Sequence, residues 1–115
     1  RVFVTVDGSG YNVQPTSHKI NHPYQILRKN DRTQRGIFSV VGSTCMEKDY
    51  LLTEITDTLP DVGDFIKIDN VGAYTVVLTP PFINPAPAII VRKSNTFKLV
   101  RSKQTLNDIF RNYAF

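Results

Sequence analysis

The residue of this sequence with the clearest chemical potential is its single cysteine. Cys45 lies in the run GSTCMEKDY, residues 42–50, among turn-forming and charged residues. The pKa of a free thiol is about 8.5, so a cysteine can donate or accept a proton near neutral pH at little cost. A lone cysteine is also a common small buried residue. The run around Cys45 therefore leaves two interpretations open, core packing and proton transfer.

Two further turns carry side chains that could act together with a thiol. Asp7 ends a strand-like run in VDGSG, and Tyr74 follows a glycine turn in VGAYT. An aspartate in such a turn commonly hydrogen-bonds its own backbone, and a tyrosine ring commonly packs in a core. Each of these two residues, taken singly, is explained by local structure.

His18 and His22 are four residues apart, the spacing at which a helix would place two metal ligands on one face. Pro15 and Pro23 argue against a helix there, and the sequence offers no third ligand nearby. We therefore predict loop histidines and no metal site.

Most of the sequence consists of short runs rich in β-branched and aromatic residues, separated by turn-forming residues. This pattern predicts strands, and the turns with the candidate residues lie between them. Residues 105–113 differ, because their apolar side chains recur at helical spacing behind Thr105 and Asp108, which resemble a capping pair. We predict a mainly-β fold, a Greek-key-like β-barrel of about six or seven strands with a short C-terminal helix. Strands are expected within residues 2–6, 37–42, 50–56, 64–69, 73–79, 88–93 and 96–101, with a proline-rich loop at 80–87. A long connection follows the first strand and carries at most a short strand near residues 24–27.

Composition limits the remaining function classes. With 115 residues the chain can form one core, and a single cysteine excludes a disulfide within it. The net charge of +4 would suit a nucleic acid, but the basic residues are scattered without an aromatic ladder, so no nucleic-acid partner is expected. No apolar run approaches the roughly 20 residues of a membrane span, so no membrane partner is expected. The cysteine usage indicates a reducing compartment, and we expect a cytoplasmic protein.

The motifs taken in order are more specific than any one of them. A strand ending in DG, then GSTCxxxD, LPxxGD, GAYT and an FxN loop before a strand IIV resemble the C-terminal β-domain of fold-type III pyridoxal-phosphate decarboxylases. This is the family of diaminopimelate, ornithine and arginine decarboxylases. The resemblance runs from residue 2 to residue 91, and RSKQTLNDIF also resembles the family's tail.

The resemblance implies that residues 1–115 are the C-terminal domain of a larger pyridoxal-phosphate-dependent amino-acid decarboxylase. The (β/α)8 barrel domain, which carries the Schiff-base lysine for pyridoxal 5'-phosphate, is then missing from this chain, and the chain alone is expected to be inactive. A homodimer partner subunit and a small amino-acid substrate are implied as well.

Specific residues take roles from the same resemblance. Cys45 matches the catalytic cysteine that reaches into the partner subunit's site and helps control protonation at Cα. Tyr74 matches the tyrosine that hydrogen-bonds the cofactor phosphate and lies near the substrate. Asp7 matches an aspartate near the substrate's distal amino group, and Asp49, the aspartate of GSTCxxxD, is assigned with it to substrate binding.

Met46 departs from the family pattern. Members acting on diamino acids usually have Asp or Glu directly after the cysteine, because a carboxylate binds the distal ammonium. Met46, at this substrate-binding position, cannot pair with a cation, which puts lysine, ornithine or diaminopimelate in doubt as substrates. Glu47 could replace the carboxylate after a shift of one residue. The alternative is a substrate with a modified or carboxylated distal arm, as in specialised decarboxylases of secondary-metabolite or siderophore pathways.

Two non-catalytic alternatives stay open. One is a basic β-barrel that binds nucleic acid or another anion, and the other is a domain that only mediates dimerisation. The decarboxylase hypothesis predicts that Cys45 and Tyr74 lie near an exposed edge with a bare apolar face. An anion-binding barrel would instead have a groove that joins the cations over aromatic side chains.

Overall fold

The computed structural model describes residues 1–13 and 20–114. Seven strands and three helices of four or five residues lie in this part of the chain, which confirms the mainly-β prediction and the short C-terminal helix. None of the described helices is long and apolar enough to cross a membrane. The elements are β1 (Val2–Thr5), α1 (Gly10–Val13), β2 (Tyr24–Leu27), β3 (Arg35–Val41), β4 (Tyr50–Thr58), β5 (Phe65–Ile68), α2 (Thr75–Leu78), β6 (Ile89–Lys93), β7 (Thr96–Arg101) and α3 (Leu106–Phe110).

The strands form three separate sheets in the described part of the chain. The largest has the order β1-β3-β4, with β1 parallel and β4 antiparallel to the central strand β3. Two antiparallel ribbons, β2 with β5 and β6 with β7, complete the pairing. No hydrogen-bonded ring of strands closes among the described residues, so closure into a barrel stays a prediction.

Strand β3 is buried on both of its faces. Phe38, Ser39 and Val40 are consecutive, so their side chains alternate between the faces, and all three are buried. The hydroxyl of Ser39 accepts the Glu54 N–H at 3.0 Å where the register of β3 and β4 shifts. Each large apolar side chain buried here contributes about 1.5–3 kcal/mol. The core cluster consists of Ile26, Phe38, Val40, Leu51, Leu52 and Ile55.

The prediction of a strand at residues 73–79 is wrong, because this segment forms the single helical turn α2. Tyr74 precedes the turn in a left-handed conformation, with φ 63° and ψ −13°, and its carbonyl accepts the N–H groups of Val77 and Leu78 at 3.2 and 2.9 Å. The β-branched residues favour a strand by propensity, but these local hydrogen bonds decide the conformation. The proline-rich loop predicted at 80–87 is confirmed.

The predicted cap of the C-terminal helix is confirmed. The Thr105 hydroxyl accepts the Asp108 N–H at 3.2 Å, and the Asp108 carboxylate accepts the Thr105 N–H at 2.8 Å. Hydrogen bonds from Thr105, its side chain first, hold the pKa of the Asp108 carboxyl below its usual value. The apolar face predicted for this helix is largely exposed, with Leu106 63% accessible.

Candidate functional site

Turns that are far apart in sequence meet around Ser43. The Ser43 N–H donates to the carbonyl of Gly8 at 2.9 Å, and its hydroxyl lies 3.2–3.3 Å from the carbonyls of Gly8 and Asp7. The Asn84 side-chain amide donates to the same hydroxyl at 3.3 Å. These bonds bring the DG turn, the cysteine turn and the proline-rich loop into contact.

Helix α1, which the sequence did not predict, ties the GAYT segment to the same place. The Thr75 hydroxyl donates to the carbonyl of Val13 at 3.1 Å, and the rings of Tyr11 and Phe82 meet edge to face with centroids 6.3 Å apart. We call residues 7–13, 42–49 and 71–84 the turn cluster. It collects every segment in which the sequence predicted a site residue.

Asp49 is the buried centre of this turn cluster. Its side chain is only 4% exposed and accepts hydrogen bonds from Gly10 N–H at 2.8 Å, from the Ser9 hydroxyl at 2.9–3.0 Å, and from the N–H and hydroxyl of Thr44. Burial acts to raise the pKa of the Asp49 carboxyl, but the bonds from Thr44, Gly10 and Ser9 together outweigh it and lower the pKa. Both oxygens of Asp49 are therefore bonded within the chain.

Two glycines leave the space that this carboxylate occupies. A Cβ added to Gly42 would overlap the carboxylate of Asp49, so no other residue fits there without movement. A Cβ on Gly10 would lie 3.2 Å from the carbonyl of Tyr50 and 3.3 Å from the Asp49 carboxylate. Sequence reasoning missed this packing, and the glycines in DGSG and GSTC were the signal that could have indicated it.

Cys45 is exposed, which excludes its interpretation as a buried packing residue. It directly follows Thr44, which is bonded to Asp49, and precedes Met46, whose carbonyl accepts the Asp49 N–H at 3.1 Å. The Met46 N–H also lies 3.4 Å from the Thr44 hydroxyl. The thiol therefore projects to solvent from a turn that is tied down on both sides.

Tyr74 is 64% exposed, and no described residue hydrogen-bonds its hydroxyl. Its left-handed backbone costs a non-glycine residue about 1–2 kcal/mol, and Ile83 adopts a similar φ of 64°. The Asn84 N–H closes a tight turn at Ile83 by donating to the carbonyl of Phe82 at 2.7 Å. Glu54, Asn70 and Ser94 also have a positive φ and lie outside the turn cluster, so backbone strain alone does not distinguish the cluster.

The three remaining predicted positions lie on the surface of the same cluster. Asp7 and Glu47 are exposed carboxylates, and Met46 is 45% exposed beside Cys45. Asp7, Met46, Cys45 and Tyr74 could each reach a molecule outside the chain, whereas Asp49 is turned inward. The assignment of these five residues to catalysis, cofactor and substrate stays a prediction.

The described residues offer no cluster of metal ligands, and several of their cations are paired. No group of three or more His, Cys, Asp or Glu side chains among them could hold a metal, and His18 lies outside the described residues. Several cations are paired with carboxylates, which disfavours a groove that would attract phosphates. The ion pairs are Arg1–Glu54, Arg28–Asp57, Arg32–Asp61, Lys67–Asp69 and Arg111–Asp108.

The available donors fit one part of a pyridoxal phosphate site. The Tyr74 phenol is an exposed neutral hydrogen-bond donor on a rigid ring, and a phosphate oxygen can accept its hydrogen bond. The exposed Cys45 thiol could face a reacting carbon. A groove of about 790 Å³ is lined by β1, by β5 and by Asp7, Gly8 and Ser9, whereas Cys45 and Tyr74 do not line it.

Curated relatives match nearly the whole chain in sequence. A diaminopimelate decarboxylase of Archaeoglobus fulgidus is 27% identical over 93% of this chain. An L-glutamyl-[BtrI acyl-carrier protein] decarboxylase of Niallia circulans is 26% identical over 94% of it. The chain spans about a quarter of the length of these relatives, 26% and 28% respectively.

Solved structures show the same fold. The diaminopimelate decarboxylase of Helicobacter pylori, complexed with L-lysine, superposes with a TM-score of 0.81 at 22% identity, over 95% of this chain and 27% of that one. The enzyme of M. jannaschii gives a TM-score of 0.78 at 18% identity, over 98% of this chain and 26% of that one. Residues 1–72 match the family described as "Pyridoxal-dependent decarboxylase, C-terminal sheet domain". The resemblance inferred from the order of the motifs is confirmed, and the chain belongs to this C-terminal sheet domain family of the pyridoxal-dependent decarboxylases.

Proposed function

We propose that this chain is the C-terminal domain of a pyridoxal-phosphate-dependent amino-acid decarboxylase and supplies residues to an active site completed by other domains. Family membership supports the activity, and the chain's quarter share of its relatives' length supports a partner domain. The observation that carries the proposal is the exposure of Cys45 and Tyr74 on one hydrogen-bonded turn cluster.

Bare apolar surfaces support a large contact area with such partners. Ile90 and Val91 are adjacent in β6, so they face opposite sides of the ribbon, and both are exposed. Phe97 and Leu99 in β7 are exposed as well. A two-stranded ribbon is marginal alone in water, and exposed apolar patches mark interaction sites. We propose that a (β/α)8 domain with the Schiff-base lysine and a homodimer partner cover these surfaces, and that the sheets close into a barrel in that assembly.

The chemistry divides between the cofactor and this chain. Bound pyridoxal phosphate supplies an electron sink for the pair left on Cα when the bond to the carboxylate breaks and carbon dioxide departs. Tyr74 holds the phosphate by donating its phenolic hydrogen. The Cys45 thiol then donates its proton to Cα, and the thiolate regains a proton from solvent. The hydrogen bonds of the turn would hold the thiol in one direction toward the reacting carbon.

Met46 narrows the substrate class. An apolar thioether beside Cys45 cannot bind a distal ammonium, so we propose a substrate whose distal arm is neutral, acylated or carboxylated. The relative from Niallia circulans is named for a glutamyl group on an acyl-carrier protein, and that name supports this substrate class. In this proposal Asp7 accepts a hydrogen bond from an N–H or O–H group of the distal arm. Asp49 holds the turn that carries Met46 from its buried side. An exposed Cys45 thiol suits a reducing compartment, and we propose the cytoplasm.

The experiment is carbon dioxide release by the full-length protein that carries this chain. Free diamino acids are compared with N-acylated and glutamyl-thioester substrates. Cys45→Ala should lower kcat by about 10²–10⁴-fold, the usual contribution of a general acid. Tyr74→Phe, which keeps the ring, should weaken cofactor binding. Lys48→Ala, an exposed change in the same turn, is the matched control and should leave turnover unchanged.

Two results would overturn the proposal. Equal turnover of Cys45→Ala and the unaltered protein would remove the catalytic role of the thiol. A dimeric protein without decarboxylase activity on any substrate would instead support the domain that only mediates dimerisation.

A further inference from the structure

We propose that Asp49 is a positioning residue for Cys45: its buried carboxylate ties the turn that carries the thiol to the turn that carries Asp7. The structural part of this inference stands on geometry alone. Its catalytic consequence rests on the function proposed above.

The two carboxylate oxygens are divided between the two turns. Oδ1 accepts the Gly10 N–H at 2.8 Å, and Oδ2 accepts the Thr44 N–H at 3.2 Å and the Thr44 hydroxyl. The Ser9 hydroxyl lies between them, 3.0 Å from Oδ1 and 2.9 Å from Oδ2. Each oxygen therefore holds a different segment of chain, and the carboxylate is the link between them.

Only an ionised carboxylate satisfies this arrangement. It is an acceptor at both oxygens, whereas the amide of asparagine presents an acceptor at one end and two N–H donors at the other. An asparagine at position 49 would keep the shape and would turn an N–H group toward the backbone N–H of either Gly10 or Thr44. One of the two turns would lose its anchor in a site where Asp49 is 4% exposed.

Loss of the bonds between Asp49 and Thr44 would affect Cys45, because Thr44 and Cys45 belong to the same turn. The Gly42 N–H donates to the Asp49 carbonyl at 2.8 Å, and the Asp49 N–H donates to the Met46 carbonyl at 3.1 Å, so backbone bonds close the turn around the side chain. Cys45 lies directly between Thr44 and Met46. Release of Thr44 therefore releases the backbone that sets the direction of the thiol.

Asp64 offers a matched control in another turn. Its carboxylate also accepts two backbone N–H groups, from Lys29 and Asp61, each at 3.0 Å. That turn precedes β5 and contains none of the predicted site residues. Asp64→Asn therefore removes a similar carboxylate without touching the turn cluster.

The test measures the alkylation rate of Cys45 by iodoacetamide in the full-length protein, read by mass spectrometry on the peptide that contains it. Asp49→Asn should raise this rate by about threefold or more, because other domains of the full-length protein would shield the thiol, and a released turn lets it leave that shielded position. It should also lower kcat by about 10–100-fold with KM little changed, the cost of a displacement of about 1 Å at a reacting group. Asp64→Asn should change neither quantity.

If Asp49→Asn does not fold, a second pair of variants tests the same positioning role. Thr44→Val removes one donor to the carboxylate and should raise the alkylation rate, whereas Thr44→Ser keeps the hydroxyl and should restore it. An unchanged alkylation rate in folded Asp49→Asn, or in Thr44→Val, would overturn the positioning role. A raised rate in Asp49→Asn together with normal turnover in Cys45→Ala would retain that role and overturn the proposed function instead.

Discussion

Residues 1–72, the N-terminal region, and residues 73–114, the C-terminal region, differ sharply in how they are packed. The buried apolar core lies entirely within the first, between Ile26 and Ile55. In the described part of the second, Ala86 is the one buried apolar residue. The N-terminal region therefore carries its own hydrophobic stabilisation, whereas the C-terminal region presents apolar side chains outward.

The size of the molecule agrees with this difference in packing between the two regions. The radius of gyration is 15.8 Å, against about 13 Å expected for a compact domain of this length. The β6–β7 ribbon exposes most of its residues in the described part of the chain and is the natural place for contact with another domain or subunit. The turn cluster joins the two regions, because it draws Cys45 from the first and Tyr74 from the second.

Truncation of one leucine in each region gives the largest expected difference. Leu52→Ala removes a side chain with 0% exposure and should lower the free energy of unfolding of the chain by about 2–5 kcal/mol. Leu99→Ala removes a side chain that is 55% exposed and should cost less than about 1 kcal/mol. Urea unfolding of the two variants measures both values. Equal losses would refute the proposed division between the regions.

A methyl group added beside Asp49 tests the packing of the turn cluster. Gly42→Ala should lower the free energy of unfolding by about 1–3 kcal/mol, because the new Cβ overlaps the carboxylate. Gly8→Ala is the control, since nothing lies within 4 Å of a Cβ added there. The melting temperature of Gly42→Ala should be clearly lower than that of Gly8→Ala. Equal melting temperatures would show that the turn has room for an added methyl group.

Acid should reveal the contribution of Asp49 to the same packing. Its pKa is lowered in the folded chain from the usual 3.8, so its stabilisation is present above that pH and is lost as the pH falls through the folded pKa. The slope from this one proton is at most about 1.4 kcal/mol per pH unit. Urea midpoints between pH 5 and pH 2 should fall less steeply in Asp49→Asn. Parallel curves would contradict the assignment, because the other lowered carboxyls, Asp61, Asp64 and Asp108, are present in both proteins.

Loss of the α3 cap should have the smallest effect on global stability. Thr105→Ala removes a cap worth about 1 kcal/mol to the helix. Since α3 lies in the C-terminal region, hydrogen exchange should speed up in residues 106–110 while the amides of β3 and β4 stay protected. Faster exchange in β3 would mean that the two regions unfold as one unit.

Local patterns predicted much of the fold. Alternating and β-branched runs marked the strands, and the capping pair marked α3, because each signal acts over a few residues. The same β-propensity led to the wrong prediction of a strand where α2 lies. The left-handed backbone of Tyr74 and the hydrogen bonds to its carbonyl outweigh the preference of Val76 and Val77 for a strand. The link from Asp49 to Ser9 spans 40 positions, so the glycines of DGSG and GSTC could indicate close packing but not that Asp49 is the partner. The exposed face of the β6–β7 ribbon depends on what packs against it outside the chain.

We propose that Cys45 delivers the proton to Cα in the full-length protein that carries this chain. The most direct measurement is decarboxylation in D₂O, followed by determination of deuterium content and configuration at Cα of the amine product. The unaltered protein should give one deuterium in a single configuration, and Cys45→Ala should give a mixture of configurations at a much lower rate. A single, unchanged configuration formed at an unchanged rate by Cys45→Ala would contradict the claim.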